Sequence, residues 1–427
     1  MTRTRHRFVA TLPSGTLPPL GALPRGGLAG VGAVLILALA LSAVVIGTTT
    51  RPGAAGSFIT APVGSTVVEG VGSKGVSTTT VELRLRHGLA AGGQNGMIQR
   101  RAPTLRELVG QRLIVAMRGA RPSDALLQRI EEGSIGGVIL FGGNIVSPGQ
   151  LRALTARLQE VARAAGRPPL LIATDQEGGR VRRVPWAGPQ ASAQEAGSLR
   201  PDEVRASARA AGRHLRSAGV NVDLAPVADV AGAGSFMALE RRAFGTTVAD
   251  VVAASTSFVR GLEDARVAAV AKHFPGIGRA TLNTDRTAVE ISTTRRQLER
   301  DLAPFRATVA VGVPIVMISN ATYPEIDAKP AAWSTRVQSL LRREIGFAGV
   351  TITDALDGAA ATRGRSLPSV TVLAAQAGVD LLLLTGSEAS SAAVFEHVVA
   401  VSERGGISPG SLDRSYRRII DLKRAYR

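Results

Sequence analysis

Eight short apolar runs, separated by stretches with helical patterning, constrain the fold of this chain more than any other feature. They are LIVAM (113–117), GVILF (137–141), LLIAT (170–174), VNVDLAP (220–226), VAAVAK (267–272), PIVMIS (314–319), GVTIT (349–353) and LLLLT (381–385). Helix-patterned segments such as 148–166, 201–219 and 294–312 lie between them. A strand that is apolar on both faces must be covered on both faces, and crossover helices cover a parallel sheet in that way. Eight such units beginning near Pro103 predict an α/β fold, a single (β/α)8 TIM-type barrel, rather than an open doubly wound sheet, which more often has five or six strands.

Composition narrows the class further. The chain has 427 residues, 45% of them apolar, so it can bury a large core. Its 51 Lys+Arg against 33 Asp+Glu leave a net charge of +18, which favours anionic surfaces such as acidic cell-wall polymer, or else is a solvated arginine-rich surface. Nucleic acid is not an expected partner: no zinc-finger or RNA-recognition signature is present, and aromatics make up only 4% of residues. The absence of cysteine excludes disulfides, thiolate nucleophiles and a lipid-modified N-terminal cysteine. No cofactor is expected, since the glycines of DQEGGR are too few and wrongly spaced for a phosphate-binding or dinucleotide loop. No metal is expected either, because His273 stands at the rim without a second ligating histidine.

The N-terminal region reads as three parts. Residues 1–25 form a basic tail, and residues 26–50 are uncharged and apolar enough to cross a hydrocarbon core of roughly 30 Å as a helix. Arg3, Arg5, Arg7 and Arg25 predict that the tail stays cytoplasmic and that the rest of the chain lies outside. A cleaved signal peptide, with secretion, is the competing reading, although its apolar region is usually about 7–15 residues long. Residues 51–102, rich in Gly, Ser, Thr and Val, read as a flexible linker, and 103–427 as the barrel.

In a barrel of this kind chemistry sits just beyond the C-terminal ends of the strands. Polar residues gather at those positions here: DQEGGRVRRV (175–184), VADV (227–230), KHFPG (272–276), NATYPEID (320–327) and DALDG (354–358). Loops that bring carboxylates, cations and amides to one rim suit a polar, oxygen-rich ligand such as a sugar.

With those residues in hand, the chain resembles glycoside hydrolase family 3, and within it the bacterial single-domain β-N-acetylglucosaminidases. The resemblance rests on ATDQEGGRVRRV, RRAFG (241–245), KHFPG, REIGFAGVTITDAL (343–356) and AGVDLLLL (377–384), and it runs collinearly from about Leu105 to the C-terminus. It implies a retaining β-glycosidase that hydrolyses terminal N-acetyl-β-D-glucosaminides in cell-wall fragments, acting as a monomer. Asp354 matches the family nucleophile, whose carboxylate forms a covalent glycosyl-enzyme; the simpler alternative is a helix N-cap. Asp175 and Arg183 match sugar-gripping residues, with a rim salt bridge as the alternative. Arg242 matches a substrate-contacting arginine, with Arg241 as the alternative register. Lys272 and His273 match a pair that hydrogen-bonds the sugar. Asp357 reads as a cap or a solvated residue. A β-glucosidase-type hydrolase ranks lower, because such relatives usually add a second domain and only helices follow Thr385 here.

The acid/base departs from the family pattern. Relatives carry an Asp-Ser-His run in the loop after the fifth strand, where His acts as acid/base and Asp orients it; this chain has Asn283, Thr284 and Asp285 there, with Ile277 and Arg279 replacing an earlier His and Asp. Of the five histidines only His273 is near the rim. Three readings stay open. Asp285 is a carboxylic acid/base, its pKa raised by burial on loop closure and by Asp354; or acid/base chemistry is lost and the barrel binds glycan; or Asp285 is a loop cap or a partner of Arg279 or Arg286. Gly276 and Gly278 suit a loop that closes over substrate.

Overall fold

The computed structural model describes residues 102–427. The tail, apolar span and linker read above, up to residue 101, lie outside the described residues. Among the described residues, no helix is long and apolar enough to cross a membrane.

Each apolar run contributes one strand. They are β1 (Leu113–Ala116), β2 (Gly137–Leu140), β3 (Leu171–Thr174), β4 (Val222–Asp223), β5 (Ala268–Phe274), β6 (Ile315–Ile318), β7 (Val350–Thr353) and β8 (Leu382–Leu384). Neighbours in sequence pair in parallel from β1 to β7, and β8 pairs with β1. Between β7 and β8, Leu381 N–H donates to Thr351 O at 2.8 Å and Thr353 N–H donates to Leu381 O at 3.0 Å, which brings the eight-stranded sheet round on itself.

Alternation along each strand divides the core in two. Ile114, Ile139, Leu171, Ala173, Val270, Ile315, Met317 and Ile352 fill the barrel interior, while Leu113, Val115, Val138, Leu140, Ile172 and Val316 face the helices. The helices obey local rules. Ser147 and Thr294 cap Pro148–Ala164 and Arg295–Ala310 by accepting from Gln150 N–H and Gln297 N–H, and proline occupies the first turn of Pro148–Ala164 and Pro201–Ser217, where its missing N–H costs nothing. The last helix, Pro409–Ala425, sends Ile419 and Leu422 into the interior cluster and so stoppers the N-terminal end of the barrel. The opposite end stays polar, with short hairpins after β3 (Gln176–Gly178 with Val181–Arg182) and β6 (Thr322–Tyr323 with Asp327–Pro330).

Candidate active site

A cavity of about 300 Å³ opens at the C-terminal ends of the strands, and eight of the residues singled out from the sequence line it: Asp175, Arg183, Arg242, Lys272, His273, Asn283, Asp285 and Asp354. They come from four separate loops, which only closure of the barrel brings together.

Asp354 follows β7 directly, and its N–H donates to Ile318 O at 2.8 Å, so the strand ladder fixes its backbone. Ala355 N–H donates to its Oδ1 at 2.8 Å. The side chain is buried, and its pKa is pushed up to about 6, first by burial and then by the negative charge of Asp285. It caps no helix: Gly358 holds the N-cap of the short helix Ala359–Thr362. Nor does Asp357 cap a helix, one of the readings the sequence offered; it is half-buried. Its carboxylate accepts Thr385 N–H at 2.5 Å, which ties the β7 loop to the end of β8.

One corner of the cavity is a buried charge network. Lys272 Nζ lies 3.0 Å from Asp175 Oδ1 and 2.7 Å from Glu177 Oε1. Arg242 grips Glu177 with Nε and Nη2 at 2.9 and 2.8 Å. Burial would favour neutral Glu177, but the two cations outweigh it and hold the carboxyl well below the usual range. For Lys272, likewise, burial opposes the charge, and Glu177 and Asp175 win, so its pKa is raised. Arg242, not Arg241, lines the cavity; Arg241 adopts φ 57° and reaches Glu195 at 2.8 Å on the surface. Arg183 lies 3.8 Å from Asp175 and over the ring of Phe141, with its Nε unpartnered among the described residues.

Strand β5 runs two residues beyond the apolar run, through His273 and Phe274. The imidazole Nδ1 is 2.8 Å from Asp229 Oδ2, and Asp229 Oδ1 also accepts Ile277 N–H at 2.8 Å. Asp229 thus fixes the orientation of the ring through Nδ1. Glu177 and Asp229 were quoted in the sequence motifs without a role. The signal for Glu177 was its spacing, since Asp175 and Glu177 stand two apart and share a face of extended backbone; Asp229 carried no signal beyond its place at the rim.

The loop after β5 has two halves. Its first half is packed: Ile277 is buried, and Tyr323 OH donates to Gly276 O at 3.0 Å. A Cβ on Gly278 would lie 2.1 Å from Val230 O, so this glycine permits close packing rather than closure. Arg279 pairs with Asp301 at 2.7 Å, not with Asp285. In the second half Asp285 is exposed at the cavity mouth, with its N–H donating to Asn283 Oδ1 at 2.7 Å. Asn283 therefore orients the backbone of Asp285. Among the described residues, no group of His, Asp and Glu side chains is arranged to hold a metal ion.

A closed parallel barrel with a charged cavity at the C-terminal ends of its strands is the architecture of the (β/α)8 enzymes. Residues 104–422 match the model of the glycosyl hydrolase family 3 N terminal domain. The chain is 34% identical over 326 residues to an uncharacterized secreted glycosyl hydrolase of Arthroderma benhamiae, an alignment covering 74% of this chain and 92% of that protein. It is 36% identical over 299 residues to a β-hexosaminidase of Alkalilimnicola ehrlichii, covering 67% and 84%. A solved family 3 β-N-acetylglucosaminidase from Paenibacillus sp. superposes with a TM-score of 0.73 at 34% identity, over 76% of this chain and 63% of that longer one. The chain belongs to glycoside hydrolase family 3 and is a glycoside hydrolase.

Proposed function

We propose that the chain is a retaining β-N-acetylhexosaminidase, acting on terminal N-acetyl-β-D-glucosaminides of the kind found in peptidoglycan fragments. The observation that carries this reading is one cavity holding Asp354, Asp285 and the Asp175–Glu177–Arg242–Lys272 network together. The ionised carboxylate of Asp354 attacks the anomeric carbon while Asp285 gives its proton to the departing glycosidic oxygen. Asp285, now a carboxylate, then takes a proton from the water that attacks the anomeric carbon and releases Asp354. Asp175, Lys272, Arg242, Arg183 and His273 hold the sugar hydroxyls and orient the reacting bond. The β-hexosaminidase relative supports the sugar class. An apolar segment at 26–50 and the secreted relative support a barrel that works outside the cytoplasm, anchored or released.

The exposure of Asp285 favours a second reading, in which proton transfer is impaired and the barrel serves as a cell-wall glycan-binding protein. One assay separates the two. The full-length chain is incubated with aryl N-acetyl-β-glucosaminide, and with aryl β-glucoside to test the β-glucosidase alternative, beside Asp354→Asn and Asp285→Ala. Turnover of the N-acetyl substrate that Asp354→Asn abolishes, that Asp285→Ala cuts strongly and that azide restores in Asp285→Ala supports the hydrolase. Native rates in Asp285→Ala remove that residue from the mechanism. Fragment binding with no turnover of either substrate supports the binding protein.

A further inference from the structure

The opposite end of the barrel carries a second recess. The helix Thr335–Ser339, the turn Leu340–Glu344, Gly378 and the first turns of helix Pro409–Ala425 enclose a groove of about 320 Å³. It lies at the N-terminal ends of β7 and β8, since Gly378 and Asp380 just precede β8 and Thr351 stands near the start of β7. Arg342, Arg343, Arg414 and Arg418 line it, together with hydroxyls of Thr335, Ser339 and Ser411, and among the described residues no carboxylate does.

The one carboxylate behind the groove is already occupied. Asp380 is fully buried and accepts from Arg342 Nη2 at 2.5 Å, Arg418 Nη1 at 3.1 Å, Ser415 Oγ at 2.8 Å and Thr351 N–H at 2.9 Å. The guanidiniums of Arg343 and Arg414 have no hydrogen-bond or ion-pair partner among the described residues, and both residues are exposed. Two backbone features aim them at the same space. The turn at Leu340–Glu344 is widened to i→i+5 hydrogen bonding, with Ile345 N–H donating to Leu340 O at 3.1 Å, and such turns are frequent at functional sites. On the last helix Ser411, Arg414, Ser415 and Arg418 fall at i, i+3, i+4 and i+7, a single polar stripe that sets two like charges one turn apart. In the wall between them Gln338 is 5% exposed, and neither its amide nitrogen nor its amide oxygen has a partner among the described residues.

We propose that this groove is a binding site for the phosphate group of a phosphate ester, held by the free guanidiniums of Arg343 and Arg414 and the neighbouring hydroxyls. Two uncompensated guanidiniums match the charge of a phosphate monoester, and planar N–H forks with hydroxyl donors suit its tetrahedral oxygens. The volume exceeds that of one phosphate, which leaves room for the esterified group. The ester is either soluble or the headgroup of a phospholipid, and the chemistry of recognition is the same.

The test is calorimetric titration of the full-length chain with glycerol 3-phosphate at constant ionic strength. Saturable one-to-one binding is expected, weakened about tenfold or more in Arg343→Ala/Arg414→Ala and in Arg414→Gln alone, with aryl-glycoside turnover unchanged. Cosedimentation with phosphatidylglycerol but not phosphatidylcholine vesicles, lost in the double variant, identifies a lipid headgroup as the source; vesicle binding that ignores the two arginines identifies a soluble ester. No saturable binding of glycerol 3-phosphate, or binding undiminished in the variants, overturns the proposal.

Discussion

Glu177 accepts from Arg242 and Lys272 while 4% exposed, so its carboxylate is a hinge of charge balance rather than a surface contact. Removing one partner of a buried ion network leaves an uncompensated charge, which costs about 3–5 kcal/mol. Glu177→Gln is therefore expected to lower the unfolding midpoint measurably and to raise KM for any glycoside, because Lys272 and Arg242 lose the partner that aims them. Calorimetry and steady-state kinetics read both; an unchanged midpoint removes the network from the stability argument. Asp229 acts through His273. Asp229→Asn keeps the shape but weakens the carboxylate grip on Nδ1, and a reoriented imidazole is expected to reduce kcat/KM by about 10²-fold with little change in fold. Equal activity in the two proteins would show that the ring needs no such partner.

At the scale of elements, the loop after β5 separates into an anchored part and a free part. Gly278 lies against Val230 O, and Gly232 N–H donates to Gly278 O at 2.7 Å, so Gly278→Ala must push two loops apart. It is expected to destabilise by on the order of 1–3 kcal/mol and to lower turnover, since Asp285 rides on the same loop. Leu282→Ser, four residues on and 54% exposed, is expected to move the midpoint by less than about 0.5 kcal/mol. Denaturant unfolding of the two variants side by side checks the division, and a milder effect at Gly278 than at Leu282 would refute it.

For the whole molecule, two buried titratable groups couple pH to stability with opposite signs. Asp354 has a folded pKa of about 6, above its unfolded value of about 3.9, so folding is disfavoured progressively as pH rises from about 4 to 6. Asp354→Asn is accordingly expected to be more stable than the native chain above pH 6, by on the order of 2–3 kcal/mol, and equal to it below about pH 4. Lys423 is buried against Gln111, with no carboxylate partner among the described residues, and burial lowers its pKa to about 7 from about 10.4 in the unfolded chain. Its penalty is full below pH 7 and fades as pH rises toward 10.4. Lys423→Met should therefore unfold at a higher temperature than the native chain at pH 7, by a few degrees, with the gain disappearing near pH 10.5. Thermal scans across pH would refute either assignment by showing a constant difference.

The same division by scale explains what could be read before the structure. The eight strands were legible because each is short, apolar and surrounded by helices, so local pattern and tertiary environment agree. The rim positions of Asp354, Asp175 and the Lys272–His273 pair were legible because strand ends are where barrel geometry dictates that polar groups meet. Glu177 and Asp229 were not, since their partners, Arg242 and Lys272 for one and His273 for the other, lie 44 or more residues away in the chain. Asp357 misled for the same reason, its nearest helix being a weaker guide than the distant N–H of Thr385. The order of strands and helices, and the residues at the rim, follow from the chain itself because they depend on local periodicity. Which charges neutralise one another, that Arg279 turns to Asp301 and leaves Asp285 at the cavity mouth, and that four arginines converge at the far end, were decided only by tertiary structure, because burial and distance between remote segments set those energies.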